Sequence, residues 1–204
     1  MLTKQQLTIL SVFKEDLFAS LTFKQIKEEG KQKSNNLVQI ALKKFKEQDL
    51  VKTEVIGDVI TYSLNLNNNL TLSYLNLIND IEIQKRKFPK EVLSEIQKRI
   101  FKQTNFFILI VFGSYAKSKA TERSDLDVAV IIESEQTKRE IIPFLETVKR
   151  RELKPIDYHI FTRSEFIEML KAYAENVGKQ IYKNNIIYYG FIEYCHLIRG
   201  KKHE

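Results

Sequence analysis

The chain is short of several things, and each shortage closes off a class of protein. A single cysteine, Cys195, permits no internal disulfide, and three histidines form no cluster at zinc-ligand spacing. Cys195 stands beside His196 with no second such pair, which reads as a thiol packed in a helix rather than half a metal site. The longest uninterrupted apolar run, residues 106–112, falls far below the ~20 residues a membrane-spanning helix needs. The opening MLTKQQLTIL lacks signal-peptide architecture, so a cytoplasmic protein without a membrane partner is expected. A tail of like charge is missing too. Residues 1–68 carry 10 cations and 8 anions, residues 69–104 carry 7 and 4, and residues 105–204 carry 16 and 14, so a nucleic-acid role has to rest on local pattern.

What is present fits a folded protein of one large or two small domains. The chain has 204 residues, 43% hydrophobic and 29% charged, which is enough to bury a core. The net charge of +7 favours polyanionic partners.

Residues 1–68 read as helix, helix, helix, hairpin. Leu7, Leu10, Phe13 and Leu17 recur at helical spacing, and Thr22 can cap FKQIKEE, which stops at Gly30, a residue type that tolerates the left-handed conformation past a helix end. Ser34 can cap NNLVQIALKKFKEQ, with Leu37, Ile40, Ala41, Leu42 and Phe45 as its buried stripe. Two β-rich runs around Gly57-Asp58 then form a hairpin. Three helices and a two-stranded flap make a winged helix-turn-helix, whose third helix enters the DNA major groove. Lys31, Lys33, Asn35, Asn36, Gln39, Lys43 and Lys44 would face DNA, with Lys52 on the wing. Lysines serve phosphates, and Asn or Gln can read adenine.

LNNNLTLS, residues 66–73, reads as a linker. The helical connector, residues 69–104, follows. Leu72, Leu75, Ile78 and Ile81 or Glu82 suggest one helix, through which a homodimer is one expectation, and Pro89 opens another with Val92, Ile96 and Ile100 on a stripe.

The chemistry gathers after residue 104. FFILIVF is a short, fully apolar, β-favouring run ended by glycine, which reads as a buried central strand. Gly113 has no Cβ to hold a ligand away, and Ser114 adds a hydroxyl beside exposed amides at a strand-to-helix turn that can hold phosphate oxygens. In the strand SDLDVAVII, Asp125 and Asp127 project from one face with roots ~6.5 Å apart, and Leu126 points to the other. A third apolar strand, PIDYHIF, adds Asp157, with Ile156, Tyr158 and Ile160 on its opposite face. Carboxylates at the rim of a buried sheet repel unless a cation bridges them, and such oxygen ligands suit Mg²⁺ or Mn²⁺. Three of them can hold two ions ~3.5 to 4 Å apart, with Asp157 the general-base candidate. His159, one step deeper than Asp157, reads as a neutral core histidine.

Gly113-Ser114, ten intervening residues, Asp125-Leu126-Asp127 and then Asp157 resemble the DNA polymerase β-type nucleotidyltransferase superfamily, most of all its minimal nucleotidyltransferases. The resemblance covers roughly residues 95–165 and implies an α+β fold: a small mixed sheet with flanking helices, placed at 105–204 after the winged helix. It implies a nucleoside triphosphate, ATP by expectation, held by Gly113 and Ser114 with Lys117, Arg123 and Ser124 near the phosphates. It also implies two metal ions on Asp125, Asp127 and Asp157. Family members often read Gly-Ser-Tyr-Ala-Arg-Gly, whereas Lys117 and Ser118 stand here in the last two places. Lysine keeps the charge but loses the guanidinium fork, and serine loses glycine's backbone freedom.

The function so implied is transfer of AMP from an NTP to an acceptor hydroxyl, on a tRNA, a small molecule or a partner protein. A HEPN-type toxin, for which this chain would be the antitoxin, is the family's suggestion. The second reading is a DNA-binding transcriptional regulator whose nucleotidyltransferase-like domain only senses nucleotide. In the C-terminal segment, Ser164 reads as a helix cap, residues 186–189 as a short strand or turn, and the tyrosines as core and interface.

Overall fold

A computed structural model describes residues 1–200. The chain divides into two compact units, Met1–Ile81 and the remainder from Glu82.

In the first unit, helix α1 (Lys4–Leu10) starts at Thr3, whose hydroxyl accepts from the Gln6 N–H while the Gln6 side chain reaches back. The helix is shorter than its apolar spacing predicts. A 3₁₀ turn at Ser11–Lys14 follows, and the Asp16 carboxylate takes the Phe18 N–H, so Leu17 lies beyond the helix although buried. A short strand β1 (Leu21–Thr22) leads into α2 (Phe23–Glu29), capped by Thr22 and Gln25 in the same reciprocal way. Gly30 closes α2 with φ −72°, and the left-handed residue is its neighbour Lys31 at φ 50°. Glycine is needed at 30 for a different reason from the expected one: a Cβ there would lie 2.7 Å from the Ile26 carbonyl oxygen.

Helix α3 (Asn35–Glu47) is capped by Ser34 and buries Val38, Ala41, Leu42 and Phe45. Leu37 and Ile40 are 37% and 51% exposed, so the buried stripe runs through Val38 instead. Strands β2 (Val51–Ile56) and β3 (Val59–Leu64) form the hairpin, with Gly57 at φ 61°, and β1 adds to its far edge in the order β1-β3-β2. The asparagine tract is ordered rather than a free linker. Asn65 and Asn68 donate side-chain bonds to backbone carbonyls at Gln48 and Asp49, and the Asn68 oxygen accepts from Leu70 N–H at the start of α4 (Asn69–Lys85). Those carbonyls end α3, and side-chain amides satisfy them in the left-handed bend at Asp49, φ 53°.

The second unit is built on a four-stranded mixed sheet in the order β6-β5-β4-β7. Strands β4 (Phe107–Val111) and β5 (Leu126–Ile132) are antiparallel, β6 (Ile156–Thr162) runs parallel to β5, and β7 (Ile186–Tyr189) is antiparallel to β4. This is the α+β arrangement, a small mixed sheet with flanking helices, that the resemblance implies. Leu109, Ile110 and Val111 are wholly buried, each stabilising the unit by about 1.5–3 kcal/mol through area removed from water. On one face, Leu109, Val111, Leu126, Val128, Val130, Ile156 and Ile160 pack with α5 (Lys90–Ile100) and α7 (Glu135–Arg151). Tyr158 ties β6 to α7 by donating to the Glu146 carboxylate, and burial beside that charge pushes its hydroxyl up to about 12.

Ala129 and Ile131 lie buried on the opposite face, where α8 (Arg163–Lys171) and α10 (Phe191–Arg199) pack. The cap of α8 is Thr162, paired with Glu165, and Ser164 falls inside the first turn. The periodicity is decisive here, because a capping box needs its acid three residues after the cap. Helix α9 (Val177–Lys183) and β7 precede α10, in which Cys195 and Tyr194 are buried.

Candidate active site

The site forms where β4 ends and β5 and β6 begin. Pairing continues one residue past β4: the Phe112 N–H donates to the Asp127 carbonyl at 3.1 Å, so the chain leaves the sheet directly over Asp127. Gly113 then takes φ +66° and starts α6 (Gly113–Ala116), a single helical turn. A Cβ on Gly113 would fall 1.8 Å from Asp127 Oδ2 and 2.7 Å from its Cγ. No other residue type fits that spot without displacing the carboxylate. The glycine therefore serves two demands at once, a left-handed backbone and contact with an acidic side chain.

Asp127 is half-buried, and the backbone N–H of Ser114 faces its carboxylate. Burial pushes its carboxyl above the ordinary value. The Ser114 N–H opposes this, Asp157 and Asp125 add to it by like charge, and His159 opposes. Asp157 is the direct cross-strand partner of Asp127 in the parallel pair, so their backbones are ~4.8 Å apart. Asp125 sits just ahead of β5, exposed, with the Leu126 N–H bonded to the Pro155 carbonyl to fix the start of the pair at 2.9 Å. The two-residue alternation thus brings the predicted trio to one rim.

The side chains do not close on one point. Among the described residues, no three His, Cys, Asp or Glu side chains are gathered closely enough to hold an ion. Asp127 turns to the Ser114 amide, and Asp157 Oδ2 lies 3.5 Å from His159 Nε2. Each carboxylate thus lies beside a different neighbour, which keeps the like charges apart. The donor set is still of the right chemistry for a hard divalent cation: oxygen ligands only, at a rim shaped by a glycine.

His159 is the residue that sequence reasoning misplaced. It is not a core histidine but 35% exposed, stacked 5.9 Å from Phe161 at 3° and 5.8 Å from Phe112, beside Asp157. Its two-residue spacing from Asp157 on a strand was the signal for a shared face.

Of the expected phosphate ligands, Lys117 and Arg123 are exposed on the loop after α6. The Ser124 hydroxyl accepts the Thr121 N–H at 2.8 Å and closes a turn. Ser118 holds φ +55°, the conformation that glycine would take without strain. Two cations outside the expected set grip this loop. Arg86 donates to the Ala116 carbonyl and the Ser118 hydroxyl, and Lys154 lies 5.1 Å over the Tyr115 ring. In the first unit, Lys31, Lys33, Asn35, Asn36, Gln39, Lys43 and Lys52 are exposed, whereas Lys44 is half-buried near Glu47.

No helix among the described residues is long and apolar enough to cross a membrane. No curated protein and no solved structure matches the chain. The family model described as Polymerase beta, Nucleotidyltransferase matches residues 94–187, a span that holds Gly113, Ser114, Asp125, Asp127 and Asp157. That match, over the segment that forms the aspartate rim, supports a domain of the nucleotidyltransferase superfamily with nucleotidyltransferase-type activity.

Proposed function

We propose that the second unit transfers AMP from ATP to an acceptor hydroxyl, and that the acceptor lies on a partner protein. The observation that carries the reading is the packing of Asp127 against Gly113 under the Ser114 amide, with Asp157 beside it in register. In the reaction the acceptor oxygen bonds to the α-phosphorus, the bond from the α-phosphorus to the bridging oxygen breaks, and pyrophosphate leaves. The acceptor's proton passes to the Asp157 carboxylate, which His159 orients. The amides of the Gly113-Ser114 turn, with Lys117 and Arg123, hold the phosphates in line. Mg²⁺ on Asp125, Asp127 and Asp157 would neutralise the charge that develops on the phosphates.

A partner acceptor suits a rim that is open to solvent, with Asp125 and Asp157 exposed. Within the family resemblance, a HEPN-type toxin is the partner proposed, with this chain as its antitoxin. The test is incubation of the protein with ATP labelled at the α- or the γ-phosphate, alone and with lysate. Label from the α-position alone, lost in the Asp125→Ala/Asp127→Ala variant, is expected. Transfer of γ-label instead would make the enzyme a kinase, and binding without transfer would favour a nucleotide-sensing regulator.

For the first unit we propose a winged helix that binds DNA. Its support is the exposed face of α3, where Asn35, Asn36, Gln39 and Lys43 stand together with Lys31 and Lys33 at its entry. Salt-sensitive DNA binding that weakens in Gln39→Ala/Lys43→Ala is expected; binding that is insensitive to salt would overturn this assignment.

A further inference from the structure

We infer that Arg86 is a positioning residue for the nucleotide site, the clamp that holds the Gly113–Ser118 turn in its phosphate-binding shape. The inference rests on the nucleotidyltransferase reading for its function, but its physical basis stands on geometry alone. Helix α6 is a single turn, and one turn of helix is too short to sustain itself in water. The turn also contains two left-handed residues. At Gly113 that conformation is free of strain, but at Ser118 it brings the Cβ against the following carbonyl oxygen. Something outside the turn has to hold it.

Arg86 is placed to do so. Its Nη1 donates to the Ala116 carbonyl at 3.1 Å and to the Ser118 hydroxyl at 3.3 Å, so one guanidinium nitrogen grips both the last carbonyl of α6 and the strained residue. The clamp is itself anchored. The Arg86 backbone N–H bonds to the Glu82 and Ile83 carbonyls as α4 ends, and Ile83 belongs to the core under the sheet. On the other side of the loop, Lys154 lies over the Tyr115 ring, and its Nζ is 3.5 Å from the Glu122 carbonyl. At the far end of the same turn, the Ser114 amide meets Asp127. A force applied at Ala116 and Ser118 therefore sets the direction of the amides that would face the triphosphate.

The test pairs Arg86→Ala with Ser118→Gly. If the clamp offsets the strain at Ser118, glycine there should make the clamp dispensable. Arg86→Ala is expected to raise the KM for ATP about tenfold with a smaller change in kcat, and to speed hydrogen exchange at the Lys117, Ser118 and Lys119 amides by a similar factor. Arg86→Ala/Ser118→Gly is expected to recover most of both losses, and Arg86→Lys to recover part. Unchanged exchange and KM in Arg86→Ala, or a double variant no better than the single, would overturn the inference. Exchange is read without nucleotide, so a wild type that transfers no label overturns the enzymatic reading, while the exchange data still decide the clamp. Should Arg86→Ala fail to fold, Arg86→Lys with and without Ser118→Gly gives the same comparison.

Discussion

Replacing Gly113 by alanine tests the central contact of the site. The methyl group would stand 1.8 Å from Asp127 Oδ2, so the carboxylate has to swing off the Ser114 amide. Alanine at φ +66° costs about 1 to 2 kcal/mol by itself. Loss of the Ser114 amide beside the carboxylate adds about 1 kcal/mol, below the ~1.5–3 kcal/mol of a bond to a charged group because water can replace the donor at an open rim. Gly113→Ala should therefore destabilise the protein by roughly 2 to 3 kcal/mol. A second background separates the two contributions. In Asp127→Ala the obstructing oxygens are gone, and only the backbone cost should remain. Urea unfolding followed by far-UV circular dichroism measures all four proteins, since the chain has no tryptophan to report by fluorescence. Gly57→Ala is the control for backbone strain alone, because its φ is +61° and a Cβ there meets nothing within 4 Å. Equal costs for Gly113→Ala in the two backgrounds would refute the contact between glycine and carboxylate.

Other consequences follow from the same geometry. Because burial and neighbouring charge raise the folded-state value for Asp127, the folded protein binds its proton more readily than the unfolded chain, and stability falls as pH rises from the ordinary value of 3.8 through the raised one. Asp127→Asn should then stabilise the metal-free protein at neutral pH, with the gain vanishing in acid, as thermal melts across pH would show. On the proposed mechanism, His159→Ala should slow transfer about tenfold at unchanged ATP affinity, the scale on which orienting partners of site residues act; an unaltered rate would remove His159 from the site. Thr162→Ala should cost about 1 kcal/mol by opening the capping box of α8, whereas Ser164→Ala should cost a few tenths at most.

Much of this was legible because it obeys local rules. The alternation of Asp125, Leu126 and Asp127 determines which side chains share a face, and the apolar run at 107–111 marks a strand covered on both sides. Caps at Thr22 and Ser34 follow from side chains that reach only three residues ahead. What escaped depends on partners distant in the chain. Arg86 meets Ala116 across 30 residues, and nothing in its own neighbourhood marks it. His159 looked like core because its strand is apolar, yet β6 is an edge strand whose site-side face opens at the aspartates. Helix α7 carries Pro143 inside it, a residue that argues against helix although Ile141, Leu145 and Val148 keep helical spacing. The exposure of Leu37 and Ile40 reflects how α3 rotates to bury Val38 and Phe45, a choice made by tertiary packing.

The most direct test is diffraction from crystals soaked in Mn²⁺ with a non-hydrolysable ATP analogue, using the anomalous signal of the metal. An ion coordinated by an Asp127 oxygen together with one from Asp125 or Asp157, with phosphate oxygens seated on the Gly113-Ser114 turn, is the expected result. An ion bound elsewhere, or phosphates lying away from the Gly113-Ser114 turn, would contradict it.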